Sequence, residues 1–176
     1  IDQEQMIYLL SEAGQAQASL PQLLSKALEI IFKTELLNWV QSANLFLVEH
    51  NQLQAIAQYN MTSPDFSTLN LNDVSDACKQ IIKSGKIKQL HFNHQKKNKA
   101  AFFCALPIMS SQQELLGVLH LYTQHDLTNE EQNSGLNYLN LATSILTTFI
   151  YQKKSEEKLA RNNQLLQAMS QIQQSY

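Results

Sequence analysis

The chain has 176 residues, 44% of them hydrophobic and 16% charged, with a formal net charge of -2. That length suits one domain with a helical extension, and so small a charge gives no field to attract a polyanion, so nucleic acid is not an expected partner. No apolar run approaches the ~20 residues a membrane span needs, and the N-terminus lacks a basic-then-apolar leader, so no membrane contact is expected from this segment.

The two cysteines, Cys78 and Cys104, stand far apart, with no CxxC and no close Cys/His pair. This argues against a disulfide framework or a zinc site and suits a reducing cytoplasm. The chain opens at Ile1 and stops inside a helical pattern at Tyr176, which reads as a piece of something longer. Three units are expected: an N-terminal helix over 1–18, a folded domain over 19–150, and a coiled-coil or signalling helix over 151–176.

In chain order, Met6, Leu9, Leu10 and Ala13 recur at helical spacing. A second helix starts at Ser19 as N-cap with Pro21 in its first turn, and Leu20, Leu23, Leu24, Ala27, Leu28 and Ile31 make one apolar face. Residues 35–41 are expected to continue it past a kink. The period then changes: 44–49 (NLFLVE) and 53–59 (LQAIAQY) are β-prone runs forming a hairpin. Residues 61–72 are irregular, 73–85 make a short helix ended by Gly85, 86–92 (KIKQLHF) form an edge strand, and 93–99 form a polar loop.

From Ala101, AFFCALPI is apolar on both faces, as in an interior strand of a covered sheet, with Pro107 at its end. Residues 110–114 turn, 115–122 return as a second two-faced strand, and Thr128 with Glu131 forms a capping box for a long helix. On that helix Leu136, Leu139, Thr143, Leu146 and Ile150 fall in one arc, and Tyr138, Leu141, Ala142, Ile145 and Phe149 in the next. Together they span about 220°, more than one packing partner can cover. The second partner is either the first helix or another copy of the chain. Beyond Tyr151 the composition turns polar, leaving a thin seam of Leu159, Leu165 or Leu166, Met169 and Ile172, with Asn162 near the core position.

This order of elements resembles a GAF domain. The resemblance rests on Leu106, Pro107 and Ile108; on Gly117, Val118 and Leu119; and on Leu127, Thr128, Glu130 and Glu131, and it covers about 20–150. It implies an α+β fold: a central antiparallel sheet of five or six strands flanked by helices, with the long N- and C-terminal helices on one face. Residues 155–170 (SEEKLARNNQLLQAMS) are similar to the signalling helices that join such modules to the next domain in bacterial sensors. The implied partners are a second copy of the chain, as a homodimer, and a downstream effector on the same chain: a histidine kinase, a diguanylate cyclase or another sensor module, in two-component or cyclic-di-GMP signalling.

GAF domains hold small molecules between the sheet and short helices, and the ligand here is unknown. Asn98, Lys99 and Phe102 match part of a cyclic-nucleotide signature, but its Asp-Glu pair is missing. Cys78 precedes Lys79 and Cys104 precedes Ala105, so neither has the neighbouring histidine of a bilin attachment site. His120 shares a strand face with Val118 and Tyr122; it can ligate haem or donate to a metabolite, or it can be a histidine satisfied within the fold. Lys96, Lys97 and Lys99 form a cluster that suits a solvated loop. The expected pocket is His120, Tyr122, Phe103, Cys104 and Tyr59. Leu139, Leu146, Phe149, Leu159, Asn162, Leu166, Met169 and Ile172 are expected in the dimer and signalling helix. No catalytic residue or metal ligand is expected. The competing readings are a ligand-free interaction platform and, less favoured, an enzyme like the free-methionine-sulfoxide reductases, whose cooperating cysteines this chain does not match.

Overall fold

The computed structural model describes residues 1–50, 52–60, 68–70, 92–96, 99–123, 125 and 127–174, with the backbone alone for 68–70, 92–96 and 99–104. Helix α1 (Gln3–Gln15) starts at a reciprocal cap: the Asp2 carboxylate accepts from the Gln5 N–H at 2.8 Å, and the Gln5 side chain accepts from the Asp2 N–H at 3.0 Å. Ser19 and Gln22 repeat the device for α2 (Leu20–Ile31), with Pro21 in the first turn, where no N–H is needed.

The expected continuation over 35–41 does not form. A single 3₁₀ turn, Glu35–Leu37, follows instead, and strand β1 begins at Val40. The Trp39 indole N–H donates to the Leu36 carbonyl at 2.9 Å, and its ring is buried so closely under Gly135 that a Cβ there would lie 2.7 Å from the ring. α2 has already ended at Ile31 with Phe32 as its C-cap, and the buried Trp39 ring then anchors the 3₁₀ turn and the start of β1 against Gly135.

Strands β1 (Val40–Glu49) and β2 (Gln52–Tyr59) form the expected hairpin, with His50 in the left-handed region at φ 50°. β1 starts four residues earlier than its apolar pattern because Val40, Ser42 and Ala43 pair with β6. β3 (Thr68–Asn70) lies within a stretch read as irregular. β4 (Phe92–Lys96) occupies most of the expected polar loop, pairing antiparallel with the start of β5 (Lys99–Met109). Its polar composition is that of a sheet edge, which hid it from a hydrophobicity pattern. The expected helix over 73–85 lies outside the described residues, as does the expected strand over 86–92 except Phe92, which opens β4.

Pro107 does not end β5. It sits opposite Val118, and the ladder becomes irregular only between Ile108 and Met109. β6 (Leu115–Thr123) completes the sheet, whose order is β3-β2-β1-β6-β5-β4. The long β2, β1, β6 and β5 make its body, with every described pairing antiparallel, and the short β3 and β4 extend its edges.

The Thr128 cap forms as expected: Thr128 Oγ1 accepts from the Glu131 N–H at 3.2 Å, and Glu131 accepts in return from the Thr128 N–H at 3.0 Å. That backbone hydrogen bond, helped by His125, holds the Glu131 carboxyl below its ordinary value. Helix α3 (Asn129–Gln174) then runs for 46 residues. Its first half joins α1, α2 and one sheet face in a single core that includes Leu45, Leu47, Leu106, Leu119 and Leu121. Tyr138 donates its hydroxyl to the Ile31 carbonyl at 3.2 Å, and burial pushes its pKa up to about 12.

The wide apolar arc of α3 is covered from within the chain. Leu139 and Leu146 are 0% exposed, and Phe149 lies over α1, where a Cβ on Gly14 would come within 2.6 Å of the ring. These three residues, expected in a dimer contact, belong to the chain's own core. The second partner of the arc is the helix pair α1 and α2. From Ser155 to Gln174 every residue is exposed. Those twenty residues form a rod that rises about 30 Å.

Candidate functional site

The two faces of the sheet differ in chemistry. The face under the helices is mainly aliphatic and aromatic, with the Thr123 hydroxyl donating to the His125 carbonyl at its edge, whereas the opposite face carries polar groups inside an apolar surround. Strand alternation sorts them: Ala43, Leu45 and Leu47 of β1 point to the helices, so Asn44 and Phe46 point away. On β6, Leu119 and Leu121 join the helix core, which leaves Val118, His120 and Tyr122 on the far side.

Register then assembles the site. Asn44 lies directly opposite His120, which lies opposite Ala105, so the three form one row across the middle of the sheet. The next row runs from Ser42 through Tyr122 to the backbone of Phe103. On the other side of the Asn44 row, Phe46 pairs with Val118. Phe46 meets the His120 ring edge-on at 5.0 Å and 61°. Phe46, Leu53, Ala105 and Val118 form a second, smaller apolar cluster here.

Burial lowers the His120 pKa from 6.5 to about 4, because a charged imidazole would lose its hydration among these groups. His120 is therefore neutral at physiological pH, with one ring nitrogen protonated and one not. Burial also raises the Tyr122 hydroxyl above its ordinary value, keeping it a neutral donor. None of the described side chains in these rows is an acid, a lysine or an arginine. The phosphate of a cyclic nucleotide would meet no described cation here, and a charged ligand would be desolvated without compensation. Among the described residues no group of His, Cys, Asp and Glu could hold a metal ion.

Of the expected pocket residues, the structure brings His120 and Tyr122 onto this face and places the Phe103 backbone beside Tyr122. The Cys104 backbone pairs with Leu121, a residue of the helix-side core; the side chains of Phe103 and Cys104 lie outside the description. Tyr59 is a correction. It packs on the helix side of the sheet, stacked on Phe32 at a ring separation of 4.8 Å, so it does not share a site with His120. Its partner Phe32 sits just past the end of α2, a contact no strand pattern encodes.

Asn44 was missed. It is 0% exposed, and among the described residues neither its Oδ1 nor its Nδ2 has a hydrogen-bond partner. The available signal was an amide interrupting an otherwise apolar central strand, NLFLV, which reads as a strand start until β1 is seen to begin at Val40.

No protein-family model matches this chain, and no curated protein matches it. Solved structures do. The GAF domain of an Acinetobacter phosphoenolpyruvate-protein phosphotransferase superposes with a TM-score of 0.62 at 12% identity, covering 86% of this chain and 93% of that one. The fold is that of a GAF domain. The GAF domain of A. aeolicus Nlh2 in an inactive state aligns at a TM-score of 0.61 and 15% identity, over 85% of this chain and 98% of the other. A free methionine-R-sulfoxide reductase from Neisseria meningitidis in complex with its substrate aligns at a TM-score of 0.61 and 12% identity, over 87% and 90%. GAF domains and a reductase thus share this fold, and at such identities the likeness carries the fold and no chemistry. Among the described residues no helix is long and apolar enough to cross a membrane.

Proposed function

We propose that this chain is a non-enzymatic, cytoplasmic sensory GAF module. It receives a small molecule or a conformational signal and passes it along α3, paired in parallel with a second copy, to an effector domain further along the same chain. A histidine kinase, a diguanylate cyclase or another sensor module fits that place, in two-component or cyclic-di-GMP signalling.

The observation that carries this reading is the rod. Leu159, Leu165, Leu166, Met169 and Ile172 are 51–63% exposed along a helix whose last twenty residues are all exposed. A lone helix of that length is marginal in water and has no reason to repeat apolar residues on one side, whereas a partner helix makes both facts intelligible. Steps of seven back from Met169 pass through Asn162, Ser155 and Thr148 to Leu141 on the domain. Leu141 and Ile145 on the body are only partly buried, but the matching positions between them and Leu159 carry Thr148, Gln152 and Ser155, so the apolar seam belongs to the rod. Asn162 falls in its middle, where a self-paired amide lowers stability but selects a parallel, in-register dimer. A shift of that seam is a two-state event that a flexible linker could not transmit.

The test is sedimentation of the full chain beside a chain ending at Gln152. The full chain should be dimeric at about 50 µM and the shortened one monomeric. An Asn162→Cys variant should form a disulfide between copies under mild oxidation. Two monomeric species, or a failure of Asn162→Cys to cross-link while the full chain is dimeric, would remove the parallel relay.

A further inference from the structure

Among the described residues, the buried Asn44 carboxamide is the side chain with two buried polar atoms and a hydrogen-bond partner for neither. It lies at the centre of β1, the strand hydrogen-bonded to both β2 and β6, and it is fully withdrawn from solvent with both polar atoms unsatisfied. Buried amides are almost always hydrogen-bonded, because the interior offers no substitute for lost water. A leucine of similar size would fill the same space without that loss. An amide kept in such a place points to a partner that the described residues do not supply.

The chemistry of the surroundings narrows that partner. Across the strand stands His120, neutral at physiological pH, and around it Phe46, Val118 and Ala105 are apolar and buried. No described side chain of these rows brings a countercharge, so carboxylates, phosphates and ammonium groups are disfavoured. A carboxamide presents one acceptor and one N–H donor side by side in a plane. Its complement is another planar group with adjacent donor and acceptor, the geometry by which an asparagine grips the edge of a base. Phe46 offers an aromatic surface beside the same row.

We propose that Asn44 is the polar anchor of a site for a small, uncharged, planar ligand bearing an amide-like donor–acceptor edge: a carboxamide, a lactam or a free nucleobase. This rests on the small-molecule half of the reading above and is independent of the helical dimer.

Nicotinamide and nicotinate serve as probes, because they share a ring and differ in an amide against a carboxylate. Each is titrated into the full 176-residue chain while the Asn44 side-chain NH₂ signals are followed by NMR. Nicotinamide should shift those signals saturably below about 50 mM, and nicotinate should bind at least about tenfold more weakly. Asn44→Leu should weaken nicotinamide by about tenfold or more; if that variant does not fold, Asn44→Ala is used with the same expectation. No response to nicotinamide, an equal or tighter response to nicotinate, or unchanged affinity in the folded variant overturns the proposal. A monomeric chain that still binds nicotinamide through Asn44 would refute the relay and leave the anchor standing.

Discussion

Replacing His120 by leucine isolates the electrostatic consequence of burying an imidazole on this sheet face. The folded-state pKa lies near 4 and the unfolded value near 6.5, so between those limits the unfolded chain binds more protons. Folding stability therefore rises with pH through this window; it is fully present above the unfolded value and is lost as pH falls towards the folded one. For a single group with these two values the loss between about pH 7.5 and about pH 5 is roughly 2 kcal/mol. That is a sizeable share of the ~5–15 kcal/mol typical of a domain. Urea unfolding suits the measurement, since the chain has one tryptophan, Trp39, which is buried at 3% exposure and reports loss of the core by fluorescence. His120→Leu will change the absolute stability through packing, but that change does not depend on pH. Carboxyl groups such as Glu131 titrate in both proteins and cancel in the difference. The variant should lose about 2 kcal/mol less than the wild type between the two pH values. Parallel pH curves for the two proteins would show that His120 is not the buried neutral group described here.

Two further substitutions test the scaffold that positions this face. A Cβ on Gly117 would lie 2.3 Å from the Phe46 carbonyl oxygen, a backbone atom in the middle of the sheet, so Gly117→Ala should cost about 3 kcal/mol or prevent folding. A variant within about 1 kcal/mol of wild type in urea would mean that β1 and β6 are farther apart than described. Thr128→Ala removes the acceptor for the Glu131 N–H and should cost about 1 kcal/mol, also read by urea unfolding, with the rod's dimerisation unaffected. A loss of dimerisation in that variant would show that the cap and the rod are coupled.

Local signals were legible wherever chemistry and geometry coincide within a few residues. Ser19 and Thr128 could be read as caps because each needs only a partner three residues on, and α1, α2, the β1–β2 hairpin and the start of α3 follow from spacing alone. The GAF resemblance was legible for the same reason, since the residues around Pro107, Gly117 and Thr128 build neighbouring turns and strands. Tertiary contact decided the rest. Over 35–41 a 3₁₀ turn anchored by buried Trp39 and the start of β1 stand where a helix was expected, and pairing with β5 made a strand of the polar residues 92–96. Leu139, Leu146 and Phe149 went to the chain's own core, because α1 and α2 lie close enough to cover the arc that the sheet leaves over. The sheet face was decided in the same way: a side chain's row depends on the register of strands far apart in the chain. Only the β1–β6 register sets Asn44 beside His120, and only the register shift between β1 and β2 turns Tyr59 to the helix side, where it meets Phe32.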